Sequence, residues 1–294
     1  MNQLIDGIRL FTGVDEHVIE DGIVWVSGDR IQFAGSLNDC PSLPSDTQRH
    51  SFHGKFVMPG MTETHAHLSF ADANPFAIGE TGVETGTITA VRNARLMLAS
   101  GFTSAVSFGS TYQIDVALRE AINTGQVIGP RLRAAGRDLG ATSSNVDSPG
   151  GLSQIADGPW ALRQAVRSQR KLGVDIVKIF IDGENINPKN PPGELSFTDE
   201  EVHAIVDEAH RRRLRVACHA RSAAAVKQAV RAGVDLIGHA NYLDDEAVAL
   251  LADRKDEVFV GPALAWEICY LTHCESIGVP KQTVIDQGYE REIQ

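Results

Sequence analysis

The sequence predicts an α/β fold, in which a barrel of parallel strands and outer helices follows a small N-terminal β domain. From Phe56 onward, short apolar segments alternate with amphipathic ones, the order that builds βαβ units and a parallel sheet. In three units a helix ends at a glycine and a strand follows, at Gly101, Gly173 and Gly233. Glycine is favoured there because it adopts left-handed backbone without a Cβ penalty. We therefore predict a (β/α)8 TIM-type barrel with about seven strands present.

The segment 1–57 has the pattern of β structure and is predicted to form the N-terminal part of a composite β-sandwich. Within it, residues 22–35 contain two β-rich runs around a Ser-Gly-Asp-Arg turn, which is typical of a hairpin. The barrel is predicted over residues 58–294.

Seven candidate strands follow in the barrel region. They span 56–63, 103–109, 130–136, 175–181, 214–219, 234–239 and 257–263. A flat doubly wound sheet is the alternative, but that fold usually carries a glycine-rich phosphate turn after its first strand. Here the first strand runs into Pro59-Gly-Met-Thr-Glu-Thr-His65-Ala-His67 instead. Because the chain ends soon after the seventh strand, we expect the last βα unit to be missing.

The clearest helix is expected over 199–213, where Thr198 and Glu201 form a capping box. Two long segments, 138–159 and 183–197, follow the third and fourth strands. Long loops at the carboxyl ends of barrel strands are often binding loops, so we expect both to enclose a substrate. Mere surface variation is the alternative.

The composition narrows the classes of partner. The net charge of −11 and the pI of about 5.3 argue against a nucleic-acid or anionic-membrane partner. Four cysteines are too few for a disulfide scaffold, and neither a leader peptide nor a membrane-spanning run is visible. We expect a cytoplasmic protein that acts on a small molecule, and a homo-oligomer remains open.

Two histidines stand two residues apart at the end of the first barrel strand. The side chains of His65 and His67 point to one face because strand side chains alternate with a period of two. In a barrel this face is the interior at the carboxyl end, where active sites of the fold lie. The pair could chelate a divalent metal. By itself a His-x-His pair is a weak signal, since ordinary core or loop histidines also produce it.

Two more histidines occupy the same position in later units. His219 ends the strand Arg-Val-Ala-Cys-His, and His239 ends the strand Asp-Leu-Ile-Gly-His. One histidine at a strand end is usually a satisfied core residue. Four at the carboxyl ends of three strands favour a shared metal site.

Lys178 lies within the otherwise apolar strand 174–182. An ammonium group is costly to bury alone, so the lysine must be paired or chemically altered. A buried ion pair and a Schiff-base lysine are two interpretations. Beside four histidines a third gains weight, in which CO2 adds to the neutral amine and the resulting carbamate bridges two cations.

The stretch Pro59-Gly-Met-Thr-Glu-Thr-His65-Ala-His67-Leu resembles the strand 1 signature of the amidohydrolase superfamily. Lys178, His219 and His239 follow in the order of its strand 4 lysine, strand 5 histidine and strand 6 histidine. More narrowly, the sequence resembles the imidazolonepropionase-like branch, which includes metal-dependent Xaa-Pro and Xaa-Arg dipeptidases. That likeness is carried by Val177-Lys-Ile-Phe, Glu208-Ala-His-Arg-Arg-Arg and Ala232-Gly-Val-Asp-Leu-Ile-Gly-His-Ala-Asn241.

The resemblance implies a two-metal site. It assigns one divalent ion to His65 and His67, a second to His219 and His239, and the bridge to N-carboxylated Lys178. Zinc is the expected metal, with Mn, Co, Fe or Ni as alternatives. The family's strand 8 aspartate, which binds metal and transfers protons, is expected beyond Gln294 in an apparently truncated chain, so no catalytic acid or base is assigned.

We therefore predict hydrolysis of an amide, peptide or cyclic-amide C–N bond by a metal-bridging hydroxide. Carbamate, ester or phosphotriester hydrolysis and a metal-dependent decarboxylation use the same site and are alternatives. A non-catalytic metal-binding protein is a third, if the chain is natively this short. Arg137 could hold a substrate carboxylate or form a structural ion pair, and Tyr242 could polarise a carbonyl or simply pack.

Overall fold

The computed structural model describes residues 1–70, 78, 81–147, 151–187 and 189–292. The chain divides into two compact units, Met1–Met61 and Thr62–Gln294. Among the described residues, no helix has both the length and the apolar character needed to cross a lipid bilayer.

The first unit contains one four-stranded sheet. Its strands are β1 (Asn2–Phe11), β2 (Val18–Ser27), β3 (Arg30–Ser36) and β4 (Gln48–Val57), in the spatial order β3-β2-β1-β4. The β2–β3 pair is the predicted hairpin, with Ser27 opposite Arg30 and Gly28 at φ +63° in the turn. Ile8, Leu10 and Val24 form the core on one face of the sheet.

The second unit is built on parallel strands. They are β5 (Met61–Ala66), β6 (Phe102–Ser107), β7 (Arg131–Arg133), β8 (Asp138–Gly140), β9 (Ser153–Ile155), β10 (Ile176–Phe180), β11 (Arg215–Ser222), β12 (Leu236–Tyr242) and β13 (Phe259–Gly261). Hydrogen bonds order them as β5-β6-β7 and as β13-β12-β11-β10-β8-β9. Because β7 pairs with β6 while β8 pairs with β10, the chain segment from β7 to β8 connects the two sheets as one interrupted barrel strand.

Helices follow most of these strands. They are α1 (Val83–Ala99), α2 (Ile114–Asn123), α3 (Pro159–Leu172), α4 (Asp199–Arg211), α5 (Ala223–Ala232), α6 (Asp245–Asp253), α7 (Leu264–His273) and α8 (Lys281–Asp286). The predicted capping box of Thr198 and Glu201 begins α4. Gly173 and Gly233 end α3 and α5 at φ +91° and +86°, which confirms the helix–glycine–strand junction at both positions.

Alternation along β10 separates the core from the barrel interior. Val177, Ile179 and Ile181 belong to the main core, together with the apolar faces of α3, α4 and α5. Ile176 packs in a separate interior cluster with Phe108 and Ala217. Because Lys178 shares the parity of Ile176, the strand directs its amine into the barrel.

The structure corrects two predicted elements. The strand predicted over 56–63 is wrong, since β4 ends at Val57 and β5 begins at Met61. Pro59 lies in the gap and has no N–H to donate to a ladder. The segment 138–159 is also not entirely loop, because it contains β8 and β9. Strands of three residues are too short to show a periodic pattern in sequence.

Candidate metal centre

A cavity of about 540 Å³ lies in the second unit at the carboxyl ends of its strands. All five predicted metal ligands line it: His65, His67, Lys178, His219 and His239. Its apolar wall includes Phe70, Val146, Leu152, Phe180, Ile186 and Trp266. Both long segments expected to enclose a substrate contribute lining residues, Val146 from the first and Glu184 from the second.

The four imidazoles form one continuous cluster. The ring centroids of His65 and His67 are 5.4 Å apart, and those of His65 and His239 are 4.7 Å apart. His219 lies 4.5 Å from His239 by the same measure. Rings from three strands therefore meet, as the shared position at strand ends predicts.

Lys178 is buried, with 1% of its surface exposed. Its Nζ lies 5.4 Å from the ring centroid of Phe108 and 4.9 Å from that of Phe180. Within the described part of the chain, no hydrogen bond or ion pair engages this amine. The ion-pair interpretation of Lys178 therefore finds no support among these residues.

Backbone carbonyls fix the tautomers of two histidines. Nδ1 of His67 lies 3.1 Å from the carbonyl oxygen of Gly109, and Nε2 of His219 lies 3.1 Å from that of Gly183. A carbonyl oxygen only accepts, so each of these ring nitrogens carries the proton and donates it. The other nitrogen, Nε2 of His67 or Nδ1 of His219, keeps a free lone pair, which is how metal-bound histidines are usually oriented.

All four imidazoles are held in the neutral form. Desolvation lowers the pKa of His67 to about 3, with a further contribution from the charge of Lys178. Desolvation also lowers the pKa values of His65, His219 and His239 well below the ordinary value, and neighbouring cations add to the effect. A neutral imidazole is the form that binds a metal.

Two further ring nitrogens are fully buried and have no hydrogen-bond partner among the described residues. They are Nδ1 of His65 and Nδ1 of His239, both buried. His239 also has a left-handed backbone, at φ +75°, and Ala240 follows at φ +53°. Such strain in non-glycine residues is concentrated at functional sites. Unpartnered donor atoms on a strained strand end fit a bound cation.

Three charged residues near His219 and His239 have no counterpart in the sequence-based prediction. Arg221 forms ion pairs with Glu184, at 2.8 Å, and with Glu267, at 3.4 Å. Oε1 of Glu184 also lies 3.5 Å from Nδ1 of His219. Ligand atoms of Glu184, His219 and His239 all lie within 4.8 Å of one another, so these three residues could hold one cation. Arg221 could have been found from the two-residue spacing after His219, which places both on one face of β11.

Neither Arg137 nor Tyr242, both predicted as substrate contacts, lines this cavity. Asp138, the next residue after Arg137, does line it. Nε of Arg137 instead donates to the side-chain oxygen of Gln113 at 2.8 Å, in the amide orientation that lets this oxygen accept. The hydroxyl of Tyr242 accepts from Asn185 at 3.0 Å and borders a separate cavity of about 340 Å³.

Comparison with known proteins identifies the family. The profile of the amidohydrolase family matches residues 56–268. This chain belongs to the amidohydrolase family. The match spans every strand that carries a predicted ligand, and it confirms the superfamily resemblance of the strand 1 motif.

Curated relatives support the branch within the amidohydrolases. The chain is 27% identical over 269 residues to ochratoxinase of Aspergillus niger, covering 82% of this chain and 55% of that protein. It is 26% identical over 270 residues to imidazolonepropionase of Rhizorhabdus wittichii, covering 80% of this chain and 63% of that protein. The chain thus spans a little over half the length of these relatives.

Solved structures confirm the barrel fold of this family member. A crystal structure of an amidohydrolase superposes with a TM-score of 0.89 at 27% identity, covering 100% of this chain and 74% of that chain. A prolidase complexed with N-methylphosphonate-L-proline superposes with a TM-score of 0.85 at 28% identity, covering 98% and 72%. The predicted Xaa-Pro dipeptidase and imidazolonepropionase likeness is therefore confirmed.

Proposed function

We propose that this chain is the catalytic part of a metal-dependent hydrolase that cleaves an amide-type C–N bond in a small molecule or dipeptide-like substrate. One observation carries the proposal: four neutral imidazoles and the buried Lys178 line one cavity. A volume of about 540 Å³ lies in the usual range for small-molecule sites. The names of the relatives, an ochratoxinase, an imidazolonepropionase and a prolidase, support the same bond class.

The residues present fit two divalent cations. In the proposed arrangement His65 and His67 hold one ion, His219 and His239 hold the other, and N-carboxylated Lys178 bridges them. The Nδ1 atoms of His65 and His239, which lack a hydrogen-bond partner among the described residues, support this assignment. Carboxylation of Lys178 would replace an uncompensated buried cation by an anionic oxygen ligand. Zinc is the expected metal, because imidazole and carboxylate-type oxygen suit it, although they also suit Mn, Co, Fe and Ni.

When bound, such ions polarise the scissile carbonyl and lower the pKa of a bound water. The chain's own residues prepare the site for this chemistry. The carbonyls of Gly109 and Gly183 fix the ring orientation of His67 and His219. Phe108 and Phe180 flank Lys178 and shield its amine from bulk water. Glu184 places a further carboxylate beside His219.

The first test is metal dependence with a substrate panel. Protein stripped by chelation should lose hydrolysis of dipeptides and lactams, and Zn²⁺, Mn²⁺ or Co²⁺ should restore it. The same panel should include carbamates, esters and a phosphotriester, which separate the amide assignment from its alternatives. Full amide hydrolysis by protein shown by elemental analysis to be metal-free would contradict the proposal.

A further inference from the structure

Asp138 is the first residue of β8, and its carboxylate faces the cavity that contains the histidines. Only 2% of its surface is exposed, and Oδ1 is buried without a hydrogen-bond partner. No described residue donates a hydrogen bond to either oxygen, and no described basic nitrogen lies within 4.0 Å. A charge buried in this way normally has a partner, because its desolvation is otherwise uncompensated.

The other buried acids of the described chain show how unusual this is. Asp115 accepts from the backbone N–H groups of Ala135 and Gly136, at 2.8 and 3.0 Å. Asp182 likewise accepts from three backbone N–H groups. The remaining ones, Asp6, Glu208 and Glu267, are paired with arginines. Among the buried acids of the described residues, Asp138 is therefore the one whose carboxylate has no partner. We infer that its partner is a bound ligand.

The backbone of the neighbouring strand makes room for this carboxylate. Gly109, just beyond the end of β6, has φ +120°, and a Cβ built there would lie 2.1 Å from Oδ1 of Asp138. Any side chain at residue 109 would thus displace the carboxylate as well as strain the backbone. The carbonyl oxygen of Gly109 also orients His67. One glycine therefore both positions a candidate metal ligand and leaves room for the Asp138 carboxylate.

The proposed metal site does not include Asp138. The three-donor group found among the described residues is Glu184, His219 and His239, and Asp138 is not part of it. Burial raises the pKa of Asp138 and the charge of Lys178 opposes that rise, but the amine of Lys178 lies beyond ion-pair distance. Carboxylation would abolish even that charge. Apolar side chains such as Val146 and Leu152 form much of the surrounding wall.

We propose that Asp138 binds a protonated amine of the substrate, so that the enzyme selects amides that carry a free primary or secondary ammonium group. An ammonium ion supplies both the positive charge and the N–H donors that the carboxylate lacks, in a charge-assisted hydrogen bond. Arg221 cannot bind the substrate ammonium group, because its guanidinium is itself a cation. That guanidinium is paired with Glu184 and Glu267. The proposal rests on the proposed amide hydrolysis at the same cavity.

The test uses two ligands that differ only in the amine. L-phenylalaninol carries the ammonium group, and 3-phenyl-1-propanol has the same skeleton without it. Neither has a hydrolysable bond, so calorimetric titration of the metal-loaded full chain reads binding whether or not the chain is active. We expect the wild type to bind the amine at least about tenfold more tightly than the alcohol, the size of one charge-assisted contact.

Three variants complete the test. Asp138→Asn keeps the shape and removes the charge, and it should reduce the preference for the amine to about onefold to twofold. Asp138→Ser, which is too small to clash with Gly109, should do the same. Asp147→Asn, an exposed acid nine residues along the same loop, should retain the preference. Equal binding of the two ligands to the wild type, no binding of the amine up to about 10 mM, or an unchanged preference in the Asp138 variants would overturn the proposal.

Discussion

At the scale of single residues, Lys178 and Asp138 pose the same physical problem with opposite charges. Each is almost completely buried, lines the same cavity and lacks an ion-pair partner among the described residues. Burial of such groups without compensation costs several kcal/mol, so both mark places where a ligand or a chemical modification completes the site. The two predictions that follow separate these contributions.

Lys178→Ala should remove the proposed bridging ligand. We expect the variant to lose at least about half of the bound metal and about a thousandfold in amide hydrolysis, because the ligand and its charge disappear together. Added acetate should partly restore both, since a small carboxylate can occupy the space of the carbamate. Lys171→Ala, at an exposed position in α3, is the matched control. Unchanged metal content in Lys178→Ala, measured by elemental analysis, would contradict the assignment.

Asp138 should make the metal-free protein less stable as the pH rises. Burial raises its pKa from 3.8 to about 6, so the folded state favours the protonated acid. Protonation of Asp138 contributes to the free energy of unfolding, and this contribution is fully present below pH 3.8. It is lost as the pH rises through about 6. Its size is about 3 kcal/mol if the whole shift is realised.

Asp138→Asn should therefore be more stable than the wild type at pH 7, and the difference should shrink towards pH 4. Urea unfolding of the chelator-treated proteins at several pH values measures this. A difference that does not vary with pH, or that grows as the pH falls, would show that the carboxylate is ionised at little cost in the folded chain.

At the scale of elements, the second half of the site depends on how β10, its following loop and β11 are joined. The carboxylate of Asp182 accepts from the backbone N–H groups of Arg221 and Ser222, both at 2.9 Å, and of Gly193 at 3.1 Å. These bonds tie the loop that carries Glu184 to the strand that carries His219. The desolvation of Asp182 raises its pKa, but the three N–H donors oppose that effect.

Asp182→Asn should loosen this junction, because an amide offers one acceptor oxygen where the carboxylate offers two. We expect a loss of about 1–3 kcal/mol in the free energy of unfolding and a weaker affinity for the ion at His219 and His239. Thr198→Ala is the control, since loss of the α4 cap should cost about 1 kcal/mol without changing metal affinity. Denaturant unfolding and competitive zinc titration measure the two quantities. Equal metal affinities in the two variants would contradict the role given to Asp182.

At the scale of the whole molecule, the five candidate ligands come from four strands or strand ends of one unit and none from the other. Metal binding should therefore stabilise the barrel strands by linkage, by about 4 kcal/mol when the free metal exceeds its dissociation constant a thousandfold. On chelation we expect hydrogen exchange to accelerate in β5, β10, β11 and β12, while β1–β3 keep their protection. Equal acceleration in β1–β3, measured by mass spectrometry, would mean that metal loss unfolds the chain globally.

The strand order and the ligand positions were accessible from sequence because both follow from local regularities. Chain order fixes which strand carries each of His65, His67, Lys178, His219 and His239, and the two-residue alternation of a strand fixes the side of the sheet they face. Barrel geometry then brings the carboxyl ends together. The boundary of the first barrel strand was missed, because the predicted strand 56–63 joined parts of β4 and β5, which belong to different sheets and are separated at Pro59.

By itself, the sequence determined the family, the parallel barrel and the five side chains that meet in its cavity, since periodicity and motif spacing are written along the chain. Only the tertiary structure decided the surroundings of those five. Asp138 lines the cavity while Arg137 contacts Gln113, and the contacts of Arg221 with Glu184 and Glu267 join residues far apart in sequence. Such contacts depend on the bend of a strand and the path of a loop, which the packing of the whole barrel sets.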